Sequence, residues 1–310
     1  MHTFSSALDG FILALQDLNL SPRTISRYRG VLLDFQAFLG PDTGPPIHVQ
    51  DIGKEHVVGY LRHNGDSAKT RNIKLSAIRR FFRYLEDEEL VVGNPASRVA
   101  FAKESERLPV FLSWDEYLAL LKVVINRTYP TYRVRNLAIV VTLFNTGLRI
   151  SELTSLNLAS IDWSNRTFVD VPLKGGHMGT IVFNEVVEKI LRGWLDDRRG
   201  FGAQDGEDAL FLSKLGTRQT PRSIEHAFVR YSHLMGIQKK ITPHVLRHGL
   251  ATHLASQGHD IHLIGQVLNH RSLNATKVYI HLADDSKRKA LEGLVDKRVL
   301  KILDRGMKGG

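Results

Sequence analysis

Apolar side chains recur three and four residues apart through the first hundred residues, a spacing that predicts α-helices joined by short turns. A helix start is indicated at Ser21-Pro22, because serine suits the N-cap position and proline suits the first helical position. The apolar positions stop before Gly40, and residues 41–50 are predicted to form a loop. The stripe on this helix consists of Ile25, Tyr28, Leu32, Phe35 and Leu39.

Two further helices are predicted before residue 90. One covers about residues 53–63, and the other runs from about Ser67 to Asp87. The longer helix carries an apolar stripe of Ile73, Ile78, Phe81, Phe82 and Leu85. A first domain is therefore predicted over residues 1–104, followed by a polar and then extended linker over residues 105–112.

The second domain, predicted over residues 113–285, is again mostly helical. Ser113 and Glu116 have the spacing of a capping box that opens a helix. Two β-like runs, residues 167–172 and 180–183, flank Lys174-Gly-Gly176 and predict a β-hairpin.

The net charge of the chain adds an indication of the kind of partner that it binds. The net charge of +10 suggests a polyanion, with nucleic acid first and an anionic membrane surface second. The excess lies mainly in residues 105–310, which carry +9, whereas residues 1–104 carry +1.

The absence of cysteine excludes disulfides, thiolate metal sites and cysteine nucleophiles. No run of about 18 apolar residues predicts a membrane span, and the N-terminus is a poor signal peptide, so we expect a cytosolic protein.

The basic residues of the first domain are concentrated on two helices. Faces nearly free of acidic residues suit phosphate contacts along a DNA backbone, although a merely solvated helix face is the alternative. The side chains predicted to contact DNA are Arg23, Arg27, Lys69, Arg71, Lys74, Arg79 and Arg80.

Two segments of the second domain bring phosphate-binding side chains into view. In Thr146-Gly-Leu-Arg-Ile-Ser-Glu-Leu153, Arg149 stands at a predicted loop-to-helix entry, where a guanidinium and a helix N-terminus can hold a phosphate together. In Thr242-Pro-His-Val-Leu-Arg-His248, His244 and Arg247 are three residues apart and share a helix face.

A third segment, Asn269 to His281, contains a tyrosine that is a candidate functional residue only in combination with the two segments above. Tyr279 follows His270 by nine residues, and alone it would be an ordinary half-buried aromatic residue. A rival hypothesis is a zinc site at His244 and His248, four residues apart. Val245 stands where the zinc protease pattern requires glutamate, which argues against that hypothesis.

Together these segments resemble the tyrosine recombinase or phage integrase family, and most closely the Xer-like site-specific recombinases. The family signature has an arginine box, a hairpin lysine, an H-x-x-R box, a second histidine and a tyrosine nucleophile, and all six positions have a match here in order. The resemblance implies a mainly α fold. It would combine an N-terminal helical core-binding, SAM-like domain with a mostly helical catalytic domain that has a small β-hairpin sheet, and the two would clamp around DNA.

The resemblance also implies a covalent mechanism. Tyr279 would become linked to the 3′ phosphate, Lys174 would protonate the leaving 5′ oxygen, and His244 would assist proton transfer at the tyrosine oxygen. Here Lys174 precedes two glycines, and the second basic residue common in the family hairpin is missing, so His177 could share its work.

Four further side chains would serve the phosphate. Arg149 and Arg247 would grip its non-bridging oxygens, His270 would donate a hydrogen bond to it, and Glu152 would orient Arg149. Because several cationic side chains can stabilise the charge that a metal ion stabilises elsewhere, no cofactor and no metal are expected. Asn269 replaces the usual glycine before the second histidine, and asparagine tolerates the left-handed conformation that glycine would adopt.

The implied partners are a specific double-stranded DNA site and further protomers, as a homo-tetramer or hetero-tetramer on DNA, without a membrane. Residues 286–310 continue an apolar helical period past Tyr279, and this tail would pack on its own domain or dock onto a neighbouring protomer. Chromosome dimer resolution, transposon resolution and phage-type integration share the same pocket. The short two-domain layout favours the Xer-like or resolvase-like systems.

Three alternatives remain at this stage. A type IB topoisomerase uses the same chemistry, but that family usually has lysine where His244 stands. A DNA-binding regulator without catalysis would show a degenerate pocket. A metal-dependent hydrolase would need a ligand cluster that the sequence does not reveal.

Overall fold

The structure is a computed structural model that describes residues 2–40, 45–63, 65–104, 110–173 and 176–269. The chain divides into two compact units, Met1–Arg107 and Leu108–Gly310. Both units are mostly helical, and the second also contains a small sheet, so the predicted fold class is confirmed.

Helices make up the regular structure of the first unit where it is described. They are α1 (Phe4–Asp17), α2 (Pro22–Leu39), α3 (Lys54–His63) and α4 (Ala68–Asp87). The two predicted helix starts are confirmed, because the side chains of Ser21 and Ser67 accept hydrogen bonds from the backbone N–H groups of Thr24 and Thr70. The predicted stop is also confirmed, but Gly40 is extended there, with φ of 171°.

An aromatic cluster fills the centre of the first unit. The buried ring of Phe81 on α4 lies 5.1 Å from that of Phe4 and 5.5 Å from that of Phe11, measured between centroids. Four of the five predicted stripe positions on α4 are buried in this core, and Ile73 is half-buried. The apolar spacing therefore identified the inward face of α4, and Ile73 lies at the edge of that face.

The second unit surrounds a three-stranded antiparallel sheet with helices. Its elements are α5 (Trp114–Arg127), α6 (Pro130–Thr146), α7 (Ile150–Ser155), β1 (Ile161–Asp162), β2 (Thr167–Leu173), β3 (His177–Val182), α8 (Glu185–Arg198), α9 (Pro221–Met235), α10 (Pro243–Ser256) and α11 (Ile261–Val267). Strands β2 and β3 form the predicted hairpin, with Leu173 opposite His177. Strand β1, only two residues long, was not predicted, because so short a strand has no detectable alternation.

The core of the second unit is built around α6, which packs against α8 and α10. Its residues from Ala138 to Phe144 are all buried, and beside them the indole of Trp194 donates a hydrogen bond of 2.9 Å to the Leu210 carbonyl oxygen. The predicted capping box of Ser113 and Glu116 is present at the start of α5. Because α6 is buried along this stretch, the core fixes the position of the turn that follows its carboxyl end.

Every helix among the described residues is too short or too polar to cross a bilayer.

Removal of the central aromatic ring tests the core of the first unit. We expect Phe81→Ala to lower the free energy of unfolding by about 3–5 kcal/mol, because it leaves a cavity among rings that cannot close it. Leu33→Ala is the control, since Leu33 is exposed on α2 and its truncation should cost less than about 0.5 kcal/mol. Urea denaturation measures both, and hydrogen exchange of the α2 and α4 amides reports this unit separately. Equal costs in the two variants would contradict the packing described.

Candidate active site

Arg149 stands at the tight turn between α6 and α7. Gly147 caps α6 in the left-handed conformation, with φ of 64°, and Arg149 is the N-cap of α7, as the loop-to-helix prediction required. A Cβ atom on Gly147 would lie 2.7 Å from the side chain of Leu268. Glycine is therefore needed at this turn for its conformation and for the close approach of the end of α11.

The carboxylate of Glu152 fixes both the backbone and the side chain of Arg149. Its Oε2 accepts the Arg149 backbone N–H at 2.8 Å, and its Oε1 accepts from Arg149 Nη1 at 2.7 Å. Glu152 is 3% exposed, whereas the Arg149 side chain is 23% exposed. A buried carboxylate thus holds a guanidinium that reaches the surface, as expected for a residue that orients Arg149.

Arg247 joins separate parts of the chain. It is 6% exposed on α10, and its guanidinium donates hydrogen bonds to the carbonyl oxygens of Gly147 and Leu268. Those carbonyls belong to the turn that precedes Arg149 and to the residue that precedes Asn269. Asn269 adopts the left-handed conformation, with φ of 49°, as predicted for its replacement of glycine.

The imidazole of His244 lies within the field of both arginines. Although the residue reaches solvent on α10, partial burial lowers its pKa below the ordinary value of 6.5. The positive charges of Arg247 and Arg149 lower that pKa further, against a smaller opposing effect of Glu225. His244 is therefore mainly neutral near pH 7 and able to accept a proton.

The rival zinc hypothesis finds no support in the described residues. His248 is half-buried on α10, and its pKa is also lowered, mainly by burial and further by its neighbours His244 and Arg247. Within the described ranges, no group of three or more histidine, aspartate or glutamate side chains is arranged to hold a metal ion.

Several predicted positions lie outside the described residues. They are Lys174, His270, Tyr279, part of the linker and the tail from residue 286 to residue 310. Their roles stay predictions. His177, suggested as a partner for the hairpin lysine, is exposed at the first position of β3.

A basic groove runs between α2 and α4 in the first unit. Arg23, Arg27, Lys69 and Arg80 are exposed, and Arg71 is partly exposed. Arg27 and Lys69 line a groove of about 420 Å³ between the two helices. These five side chains reach solvent, and their contact with DNA stays a prediction.

Lys74 requires a correction to that interpretation. Its Nζ lies 3.2 Å from Asp34 Oδ2 and 2.9 Å from Asp66 Oδ2, and 4.7 Å from the centroid of the Tyr60 ring. The side chain is 12% exposed. Because its side chain is mostly buried and its charge is already paired with two carboxylates, Lys74 does not belong with the exposed basic face.

Arg79 requires the same correction. Its Nε donates to the carbonyl oxygen of Ala96 at 2.9 Å, and its Nη2 donates to those of Ser97, at 3.1 Å, and Val99. The guanidinium also lies 4.5 Å from the centroid of the Phe101 ring. Arg79 therefore fastens the segment that follows α4 back onto that helix.

Arg218, which the sequence interpretation did not single out, contacts the carboxyl end of α7. Its guanidinium donates to the carbonyl oxygens of Thr154 and Leu156, more than sixty residues earlier in the chain. No local pattern around Arg218 signals these partners, because hydrophobic periodicity and motif spacing describe neighbours in sequence only.

Comparison with known families agrees with this geometry. The model of the phage integrase family matches residues 110–286, and the model of the N-terminal SAM-like domain of phage integrases matches residues 8–89. The tyrosine recombinase XerC of Alcanivorax borkumensis is 33% identical over 282 residues, which cover 91% of each chain. The tyrosine recombinase XerD of Oceanobacillus iheyensis is 30% identical over 282 residues, covering 89% of this chain and 93% of the relative.

Solved structures show the same fold. The XerH site-specific recombinase bound to palindromic difH substrate has a TM-score of 0.71 at 23% identity, over 88% of this chain and 80% of that one. The Tn1549 transposon integrase in complex with circular intermediate DNA has a TM-score of 0.75 at 20% identity, over 94% of this chain and 99% of that one. With a family model that matches more than half of its length and relatives at this identity across most of it, the chain belongs to the phage integrase family of tyrosine recombinases.

Proposed function

We propose that this chain is a site-specific DNA recombinase that cleaves and rejoins DNA through a covalent 3′-phosphotyrosyl intermediate. One observation carries the proposal: the buried guanidinium of Arg247 binds the carbonyl oxygen of Gly147, in the turn that leads to Arg149, so two arginines from distant segments meet at one turn. Such a group of positive charges suits a phosphate whose equatorial oxygens gain negative charge in the transition state.

In the proposed reaction the phenol oxygen of Tyr279 attacks the scissile phosphorus. A bond forms between that oxygen and phosphorus while the bond from phosphorus to the 5′ oxygen breaks. The phenol proton moves to neutral His244, and Lys174 gives a proton to the departing 5′ oxygen. Since one phosphodiester replaces another, the 5′ hydroxyl of a second strand can reverse the step without ATP.

We also propose a division of the chain into domains. Residues 1–104 form the core-binding domain, which holds duplex DNA through Arg23, Arg27, Lys69, Arg71 and Arg80. Residues 113–285 form the catalytic domain, and residues 286–310 dock onto a neighbouring protomer. Four protomers, identical or of two kinds, assemble on the recombination site in the cytoplasm. The relatives named XerC and XerD, at 33% and 30% identity, support this Xer-like function over integration of a mobile element.

A type IB topoisomerase is the second candidate, because the covalent chemistry is the same. His244 argues against it, since that family usually places lysine at this position. Relaxation of a supercoiled plasmid that lacks any bound site would favour the topoisomerase. Cleavage at one mapped phosphate would favour the recombinase.

Trapping of the covalent intermediate tests the nucleophile. Nicked duplex DNA from the locus that encodes the chain is incubated with the protein, and the phosphate that becomes attached is mapped. We expect Tyr279→Phe to bind this DNA with unchanged affinity and to form no adduct, because the ring keeps its shape and loses only the attacking oxygen. Tyr129→Phe is the control at an exposed tyrosine and should react normally. An adduct with Tyr279→Phe would show that another residue attacks.

Removal of the charge on Glu152 tests the orientation of Arg149. We expect Glu152→Gln to slow adduct formation about tenfold to a hundredfold, since a hydrogen bond to a charged group contributes about 1.5–3 kcal/mol. DNA affinity should change little, because the exposed basic residues are intact.

A matched control for Glu152 exists on the surface of the same unit. Glu188 pairs with Arg166 at 2.7 Å and with Arg192 at 2.8 Å, away from α7. We expect Glu188→Gln to leave the single-turnover rate unchanged. Similar rate losses in the two glutamine variants would mean that Glu152 has no special relation to the reaction.

The pH dependence tests His244 as proton acceptor. Its neutral form is the active one, and its pKa lies below 6.5, so the single-turnover rate should fall as the pH drops, with the midpoint of that fall below pH 6.5. We expect His244→Gln to be slower throughout and to lose this acidic limb. His248→Gln should retain the limb, because that imidazole takes no part in the transfer. An acidic limb that survives in His244→Gln would assign the titration to another group.

A further inference from the structure

The carboxyl end of α7 is held by a guanidinium from a distant loop. Arg218 Nη1 donates to the carbonyl oxygens of Thr154, at 3.0 Å, and Leu156, at 3.2 Å. Its Nη2 donates to Oδ1 of Asn157 at 2.7 Å. The last carbonyls of a helix have no partner within that helix, and Arg218 meets this need from outside.

Helix α7 depends on such contacts because of its length. It has six residues, whereas isolated helices shorter than about 12–15 residues are marginal in water. Its amino end begins at Arg149, and its carboxyl end meets the positive charge of Arg218. A cation at that end also interacts favourably with the helix dipole. The two arginines therefore hold opposite ends of one short element.

Arg218 is itself anchored. Its backbone N–H donates to Glu207 Oε2 at 2.8 Å, and its Nη2 lies 3.3 Å from Asp208 Oδ1. The same loop meets the exit of α7 directly, because the Leu210 N–H donates to the Leu156 carbonyl oxygen at 2.8 Å. Arg218 thus connects α7 to this loop, so that the position of the loop determines the position of the carboxyl end of α7.

We propose that Arg218 is a positioning residue for Arg149. It acts through α7, over about 9 Å of helix at 1.5 Å per residue, and it does not touch the phosphate. Without Arg218 the carboxyl end of α7 keeps the bond from Leu210 but loses three hydrogen bonds, and a shift of that end in so short a helix also displaces its N-cap. This inference rests on the proposed function, because the role of Arg149 as a phosphate ligand belongs to that proposal.

The test uses the full chain and a nicked duplex that carries the mapped phosphate. We expect Arg218→Ala to slow adduct formation about tenfold to a hundredfold, because small misplacements of a catalytic group have effects of this size. The affinity for the duplex should change less than about twofold, since only interactions made in the transition state are lost. Arg218→Lys keeps the charge at the end of α7 and should recover part of the rate.

A double-mutant cycle separates positioning from a general loss of structure. Arg149→Ala alone should cost about a hundredfold to a thousandfold in adduct rate, as for the loss of one transition-state donor. We expect Arg149→Ala with Arg218→Ala to be no slower than Arg149→Ala alone, because Arg218 then has nothing to position. If the two losses multiply, Arg218 acts independently of Arg149 and the inference is wrong.

Arg198 is the matched control. Its Nη2 donates to the carbonyl oxygens of Ala209, at 2.7 Å, and Glu207, at 3.3 Å, so it binds the same loop, with no bond to α7 among the described residues. We expect Arg198→Ala to lower the melting temperature about as much as Arg218→Ala and to keep the wild-type adduct rate well below that temperature. An equal rate loss in Arg198→Ala would overturn the inference. A wild-type chain that forms no adduct would instead refute the proposed function.

Discussion

The buried guanidinium of Arg247 is the interaction on which the candidate site depends. A charge removed from water must be met by hydrogen-bond acceptors, and here the acceptors include the carbonyl oxygens of Gly147 and Leu268. Those two carbonyls end α6 and α11, so one side chain holds together segments more than a hundred residues apart. The glycine at position 147 allows this closeness, since any side chain there would meet Leu268.

The concentration of positive charge around this point explains the state of His244. A lone exposed histidine would be partly protonated near neutral pH, but two neighbouring guanidinium groups and partial burial favour the neutral imidazole. Glu152 does not reverse this effect, because its carboxylate is committed to Arg149. The same two guanidinium groups make this point electropositive and favour the neutral form of the neighbouring imidazole, so the two properties share one electrostatic cause.

The basic residues of the first unit divide by what surrounds them. Arg27 and Lys69 face the groove between α2 and α4, whereas Lys74 is enclosed by two carboxylates and Arg79 binds three carbonyl oxygens. The exposed and the buried basic residues of α4 have the same helical spacing, so the sequence alone assigned all of them to the polar side of that helix. The distinction lies in residues such as Asp34 and Ala96, which approach α4 from other parts of the chain.

Local interactions determined what the sequence could tell. Helix starts at Ser21, Ser67 and Ser113 need partners only three residues away, the hairpin needs a short turn, and the apolar stripes need only a helical period. The order of the predicted catalytic residues along the chain also showed its resemblance to the tyrosine recombinase family. Tertiary structure alone decided which cations are buried, that Arg247 links Gly147 to Leu268, and that Arg218 supports α7. These contacts join residues far apart in the chain, and their strength depends on burial and on geometry that no local pattern records.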